Sequence, residues 1–299
     1  MSELVSIIIP YHNGQDYIEE CLVSVYNQSY KNIEAIVVND GSPHTFLEEL
    51  QKDKYPSLKL YLQQNQGPSV ARNRGVELAS GKYILFLDCD DTIEPTFVEK
   101  TFNVLKNQPE VRLCYTKGNY FEEKTGEWYL PEFNLNNFLL CNCIPISTLF
   151  YKEDFIKSGG FDERLKFFED WDLWMSIIEK GNKVARIEEF LFNYRIRNQK
   201  NSLTNTWANN HFVVADYKFI IYQKHYALYE KNGLDFNSLT NIVSERNKYK
   251  RKYYNVWYKK LIYKFFKKKN IRKFMTHYKF THKKNIIHIR IMFFYFEKS

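Results

Sequence analysis

The stretch Lys82–Thr92, KYILFLDCDDT, limits the folds open to this chain more than any other. Tyr83–Leu87 is an unbroken run of apolar and aromatic residues, with the length of a strand buried on both faces. Three carboxylates follow at once: Asp88, Asp90 and Asp91. They cannot join the core, because buried charge has to be paired or metal-bound. The plainer reading is a turn or a helix cap, which Asp and Thr favour and which Pro95 suits. The sharper reading is a site for a hard divalent cation held by oxygen ligands and bridging phosphates. Open α/β sheets bind their ligands at this position, outside the carboxyl ends of their strands.

The surrounding pattern supplies such a sheet. Strands are predicted at Leu4–Pro10, Glu34–Val38 and Leu58–Leu62, and helices at Asp16–Asn27 and from Pro68 to a glycine cap at Ser80-Gly81. Asp16 and Glu19 have capping-box spacing. A helix over Pro95–Asn107, a strand over Val111–Tyr115 and a hairpin over Gly118–Leu130 come next. After an Asn-rich irregular segment, 134–143, a short strand (Ser147–Tyr151), a short helix (Lys152–Ser158), a helix over Asp170–Lys180 and strands at Lys183–Ile187 and Phe190–Arg195 complete the pattern. This alternation predicts an α/β fold, a mostly parallel sheet flanked by helices.

No G-x-G-x-x-G turn follows the first strand, which runs into Pro10-Tyr11-His12-Asn13-Gly14, and no P-loop pattern is present. A dinucleotide site of the Rossmann type is therefore not expected, and phosphate charge has to be met by metal or basic side chains. Asp40 stands at a strand end beside Gly41, a combination equally at home in a simple turn. Arg72 and Arg74 lie near the start of the third helix, where surface arginines are common. A second acidic site, Phe167-Phe168-Glu169-Asp170-Trp171-Asp172, sets carboxylates among aromatics. Partial burial there raises a pKa towards neutrality, as a general base requires. Acids at a helix start also stabilise it; Asp172 is expected to face solvent or to cap.

In order and content these stretches resemble the family 2 glycosyltransferases of GT-A fold. The resemblance rests on VSIIIPYHNGQDYIEECLVSVYNQSY, IEAIVVNDGS, NQGPSVARNRGVELASGKYILFLDCDD, GGFDE and FFEDWDLWMSI, and covers roughly residues 4–200. It implies an inverting enzyme that moves a sugar from a UDP-sugar to an acceptor hydroxyl with Mg2+ or Mn2+ bound. It also implies roles. Asp40 would bind the nucleotide base, packed by Pro10 and His12. Asn65, Gly67 and Arg72 would line the nucleotide and sugar pocket. Asp88 and Asp90 would form the Asp-x-Asp metal pair with Asp91 in support, and Asp170 would be the catalytic base with Glu169 beside it. Relatives often carry Tyr where this chain has His12. They also often read Tyr-Arg-x-His where it has Tyr194-Arg195-Ile196-Arg197; Arg197 cannot bind a metal but can neutralise a diphosphate.

The net charge of +8 conceals two unlike parts. From Arg246 onward, 18 Lys and Arg face one acid, Glu297, while the rest of the chain is net −9. The expected division is a glycosyltransferase domain over 1–207 and a basic, aromatic, helical extension over 208–299. In Tyr254–Phe266 aromatics share one helix face with lysines roughly opposite, the pattern of a helix lying on an anionic membrane surface. An interface between copies of the chain is the second reading and nucleic acid the last. The five cysteines (21, 89, 114, 141, 143) lack metal spacing and are expected to be reduced in a cytoplasmic protein. A Lys-, Asn- and Ile-rich, Gly-poor composition suggests an AT-rich bacterial source, hence a glycan or lipid-linked acceptor of capsule, lipopolysaccharide or wall-glycan synthesis.

Overall fold

A computed structural model describes residues 3–43, 45–55, 57–197 and 211–249. The chain divides into two units, Met1–Asp235 and Phe236–Ser299. In the first, β1 (Val5–Tyr11), α1 (Ile18–Tyr26), β2 (Ile33–Asp40), α2 (Thr45–Asp53), β3 (Lys59–Gln63), α3 (Pro68–Leu78) and β4 (Tyr83–Phe86) alternate. They are followed by β5 (Thr92–Ile93), α4 (Phe97–Asn107), β6 (Val111–Glu122), β7 (Gly126–Trp128), α5 (Leu135–Phe138) and β8 (Leu149–Tyr151). Then come α6 (Lys152–Ser158), α7 (Glu169–Ile178), β9 (Lys183–Ile196), α8 (His211–Lys224) and α9 (Tyr226–Lys231). In the second unit, α10 (Phe236–Tyr249) is described. The boundary expected after residue 207, the amphipathic pattern of 254–266 and the remainder of the basic segment lie outside the described residues.

The strands form one nine-stranded sheet in the order β3-β2-β1-β4-β8-β6-β9-β5, with β7 paired to β6. The half from β3 to β4 is parallel, in the register Val5↔Ile33 and Val5↔Tyr83. Beyond β4 the sheet is mixed: β8 runs antiparallel to β4 and β6, while β9 runs parallel to β6. This is a mixed α/β sheet with flanking helices.

Burial on both faces explains the unbroken apolar runs. On one face Ile7, Ile9 and Leu85 pack with Cys21, Leu22 and Val25 of α1 and Phe97 and Leu105 of α4. On the other, Phe86 packs at a tilt against Phe150 (5.4 Å) and Phe161 (5.1 Å), and Phe150 meets Trp174 edge to face (5.4 Å). At Gly75 a Cβ would lie 2.2 Å from Ile8 Cγ2, so α3 presses directly on β1.

Several local expectations are corrected. The capping box does not form; Tyr17 precedes α1 without a side-chain cap. Ala79 caps α3 in an extended conformation, and Gly81 serves close approach instead, a Cβ there falling 2.5 Å from Ser6 Oγ. The two last strands are one, β9, kept continuous past register shifts against β6. Helix α2 was not anticipated. All five cysteines are free. Among the described residues no helix is long and apolar enough to cross a membrane.

Candidate active site

The carboxyl ends of β1, β2 and β4 converge on one side of the sheet, and the predicted residues gather there. At the β2 end the buried Asp40 carboxylate accepts hydrogen bonds from the Gln66 and Gly67 backbone N–H groups and from Gln63 Nε2, each at 2.8 Å. Those bonds fold the 63–67 loop back onto the sheet and set Gly67, at φ +95°, as the entry to α3. Gly41 makes the approach feasible: at φ +83°, any Cβ would meet the Asn65 backbone nitrogen at 2.7 Å. His12 Nδ1 lies 2.8 Å from the Asp40 carbonyl and 3.0 Å from Asn65 Nδ2. Pro10 sits in β1 opposite Val38. His12, Asp40, Asn65 and Gly67 thus form one linked wall.

Arg72 joins the middle of the site to its far end. It is buried in α3, with Nη2 donating to Asp88 Oδ1 at 2.7 Å and Nη1 to Glu169 Oε1 at 2.8 Å. Burial opposes its charge, but Asp88 and Glu169 more than offset that and hold the guanidinium protonated more firmly than usual. Arg74, two positions on, pairs with Glu77 and Tyr61 instead.

Residues 88–91 do form a turn, closed by Asp91 N–H to Asp88 O at 3.0 Å, as the plainer reading expects. Asp90 pairs with Arg197 Nε at 3.0 Å. Its carboxyl pKa is raised, first by burial and then by the Asp88 charge, with Arg197 opposing. Asp91 is fully buried; its Oδ1 accepts the Arg195 N–H at 2.9 Å, and burial pushes its carboxyl well above the usual range. Arg195, unassigned by sequence reasoning, braces this turn from behind: Nε donates to the Asp90 carbonyl at 2.6 Å while the two Nη atoms reach Glu122 and Glu20.

Among the described residues no group of three or more His, Cys, Asp or Glu is arranged to hold a metal ion. Asp88 and Asp90 nonetheless suit one type of site. A magnesium-like cation takes one or two carboxylates and completes its shell with waters and substrate phosphates. Each of these carboxylates has a second oxygen beyond its ion pair, and the donor set fits.

Glu169 and Asp170 open α7. Phe168, just before them, has φ +67°, a left-handed conformation rare for a bulky side chain and costing about 1–3 kcal/mol where it occurs. Phe168 is held there between Phe167 (4.2 Å) and Trp171 (5.6 Å). The half-buried Asp170 accepts from the Trp171 N–H at 2.7 Å and from Asn142 Nδ2 at 2.9 Å. Burial, then the Glu169 charge, push its carboxyl up to about 7. Asn142 comes from the Asn-rich segment, where no sequence signal marks it. Asp172 corrects the expectation that it faces solvent or caps. It is fully buried, with Oδ2 2.6 Å from Lys224 Nζ and Oδ1 2.9 Å from His225 Nε2.

The model of the family described as Glycosyl transferase family 2 matches residues 6–169. The chain belongs to this family. Among relatives of this family 2 glycosyltransferase, an uncharacterized glycosyltransferase of Methanocaldococcus jannaschii is 30% identical over 67% of the chain and 73% of the relative. The minor teichoic acid biosynthesis protein GgaB of Bacillus subtilis is 32% identical over 69% of the chain but 24% of its own length. The chondroitin synthase of Pasteurella multocida is 28% identical over 71% of the chain and 23% of its length. Several of its relatives are therefore much longer proteins. The fold matches S. aureus TarS, solved in complex with UDP-GlcNAc, at a TM-score of 0.58 and 19% identity, over 75% of this chain and 72% of that one. Enzymes of family 2 commonly use a divalent metal ion.

Proposed function

We propose that this family 2 glycosyltransferase transfers a sugar from a UDP-sugar to a hydroxyl of a glycan or lipid-linked glycan, with inversion at the anomeric carbon. The observation that carries the reading is the Asp88–Arg72–Glu169 bridge. It ties the acidic turn after β4 to the helix bearing Asp170, which supports reading the two as neighbouring ends of one site. The UDP and UDP-GlcNAc complexes of TarS support the choice of donor. The roles of GgaB and chondroitin synthase support a polymer or its lipid-linked precursor as acceptor.

His12, Asp40, Asn65 and Gly67 receive the nucleotide, with Pro10 packing beside it. Asp88 and Asp90 would hold a cation, Mg2+ or Mn2+, which when bound would supply positive charge against the leaving diphosphate. Arg197 adds charge at the same end. Asp170 takes the proton from the acceptor hydroxyl as that oxygen bonds to carbon 1 of the sugar. The bond from carbon 1 to the diphosphate breaks on the opposite side, and UDP leaves. Glu169 keeps Arg72 in place and, by its own charge, keeps Asp170 basic.

A screen of UDP-sugars with Mg2+ or Mn2+ tests this. The expected products are UDP and intact sugar, from one or a few donors and suppressed by chelator. Release of pyrophosphate would instead indicate nucleotidyl transfer. Donor binding without turnover in any condition would indicate a binding protein built on the same fold.

A further inference from the structure

The buried cluster around Asp172 is used by none of the steps above. Asp172 lies two residues after Asp170 on α7, and a carboxylate that is 0% exposed has to be paired. Both partners come from 211–231: Lys224 at the end of α8 and His225 at the junction with α9. His225 is itself 2% exposed, and its Nδ1 lies 3.0 Å from Glu179 Oε2 at the far end of α7. One imidazole therefore spans two carboxylates on the same helix, seven positions apart. Four residues on, the buried Tyr229 hydroxyl donates to the Leu139 carbonyl at 2.6 Å. Leu139 belongs to the segment whose Asn142 binds Asp170, and the preceding Phe138 carbonyl accepts from Trp171 Nε1 at 2.8 Å.

The two groups that orient Asp170, its own helix and the Asn142 segment, are thus gripped from outside by one short stretch, Lys224–Tyr229. We infer that this stretch is part of the catalytic machinery, with His225 and Tyr229 as positioning residues that fix Asp170 relative to the acceptor hydroxyl. The inference rests on the reading of Asp170 as the general base. Burying Asp172 and His225, with Lys224 and Glu179 pairing to them from the solvent edge, is an expensive way to fasten a helix, because apolar packing of equal volume does so at no desolvation cost. What the cluster provides instead is direction. Each hydrogen bond fixes an angle as well as a distance, and proton transfer is sensitive to displacements of about 1 Å, which cost up to about a hundredfold in rate.

Tyr229→Phe tests this gently, since it removes one hydroxyl and keeps the ring; His225→Gln is the stronger variant. Turnover is read as UDP release from the best UDP-sugar of the screen above, and donor-site integrity as UDP affinity by calorimetry, both well below each variant's Tm. The expected result is a kcat lowered about tenfold or more, with KM for the donor and UDP affinity within about twofold of the unmodified protein. A fall in Tm with kcat unchanged would show plain scaffolding and overturn the inference, as would an equal loss of UDP affinity. Asp170→Asn on the same substrate separates the two claims. If that variant keeps turnover, the base assignment fails; if it is inactive while folded Tyr229→Phe and His225→Gln retain full kcat, the brace alone fails.

Discussion

Asp170 accepts a proton only as a carboxylate, and its carboxyl is pushed up to about 7 by burial and by Glu169. The rate is therefore expected to rise with pH along a one-proton limb centred near 7, and Asp170→Asn is expected to lose turnover while binding UDP normally. Near-normal turnover in that variant would remove Asp170 from the role. The same group acts on stability with a definite sign. Its folded pKa is above the ordinary value, so between about 4 and 7 the folded state binds more protons than the unfolded one. The contribution of Asp170 is intact below about 4 and lost as pH rises through about 7. Arg72 opposes the upward shift. Arg72→Gln removes that positive charge, so the acid limb is expected to move to higher pH, with kcat/KM reduced more than tenfold because the part-buried Asp88 and Glu169 lose their shared partner. A pH-rate profile reads both effects; an unmoved limb would show that Arg72 does not act on the base.

Helix α3 carries Arg72, so its seating on β1 decides where the guanidinium ends up. Gly75 allows that seating, and Gly75→Ala is expected to destabilise by about 1–3 kcal/mol, because the new methyl has to displace Ile8 in a packed core. Thermal unfolding measures it, and an unchanged Tm would show that α3 has room to shift. At this scale the sequence was most readable where one physical rule acted alone. The strand at 83–86 declared itself by burial on both faces, and α6 ended at Gly159, which has the left-handed conformation a glycine cap supplies. It was least readable where distant chain segments decide. Nothing near Asp172 announces that Lys224 and His225 will bury it, and nothing in Cys141-Asn142-Cys143 marks Asn142 as a partner of Asp170. Asp40 lay between these cases: its position at a strand end was visible, its three bonds to the 63–67 loop were not.

Over the whole molecule the contrast between an acidic body and a basic end suggests two tasks. Residues 246–299 are expected to carry membrane attachment, and removing them should abolish sedimentation with liposomes containing anionic lipid at low salt while leaving UDP release intact. Sedimentation unchanged by the truncation would refute that assignment, and concentration-dependent mass loss instead would place the segment between copies of the chain.

The margins of the nine-stranded sheet bear on how such copies can meet. An open strand edge is a template for another chain, yet β3, β5 and β7 are five, two and three residues long. Along β9, Lys183, Arg186, Glu188 and Glu189 crowd the longer run, which also shifts register against β6. Short ends, charge and irregularity are how sheets avoid joining end to end. A molecule so finished resists joining sheet to sheet with its own copies, however concentrated they become.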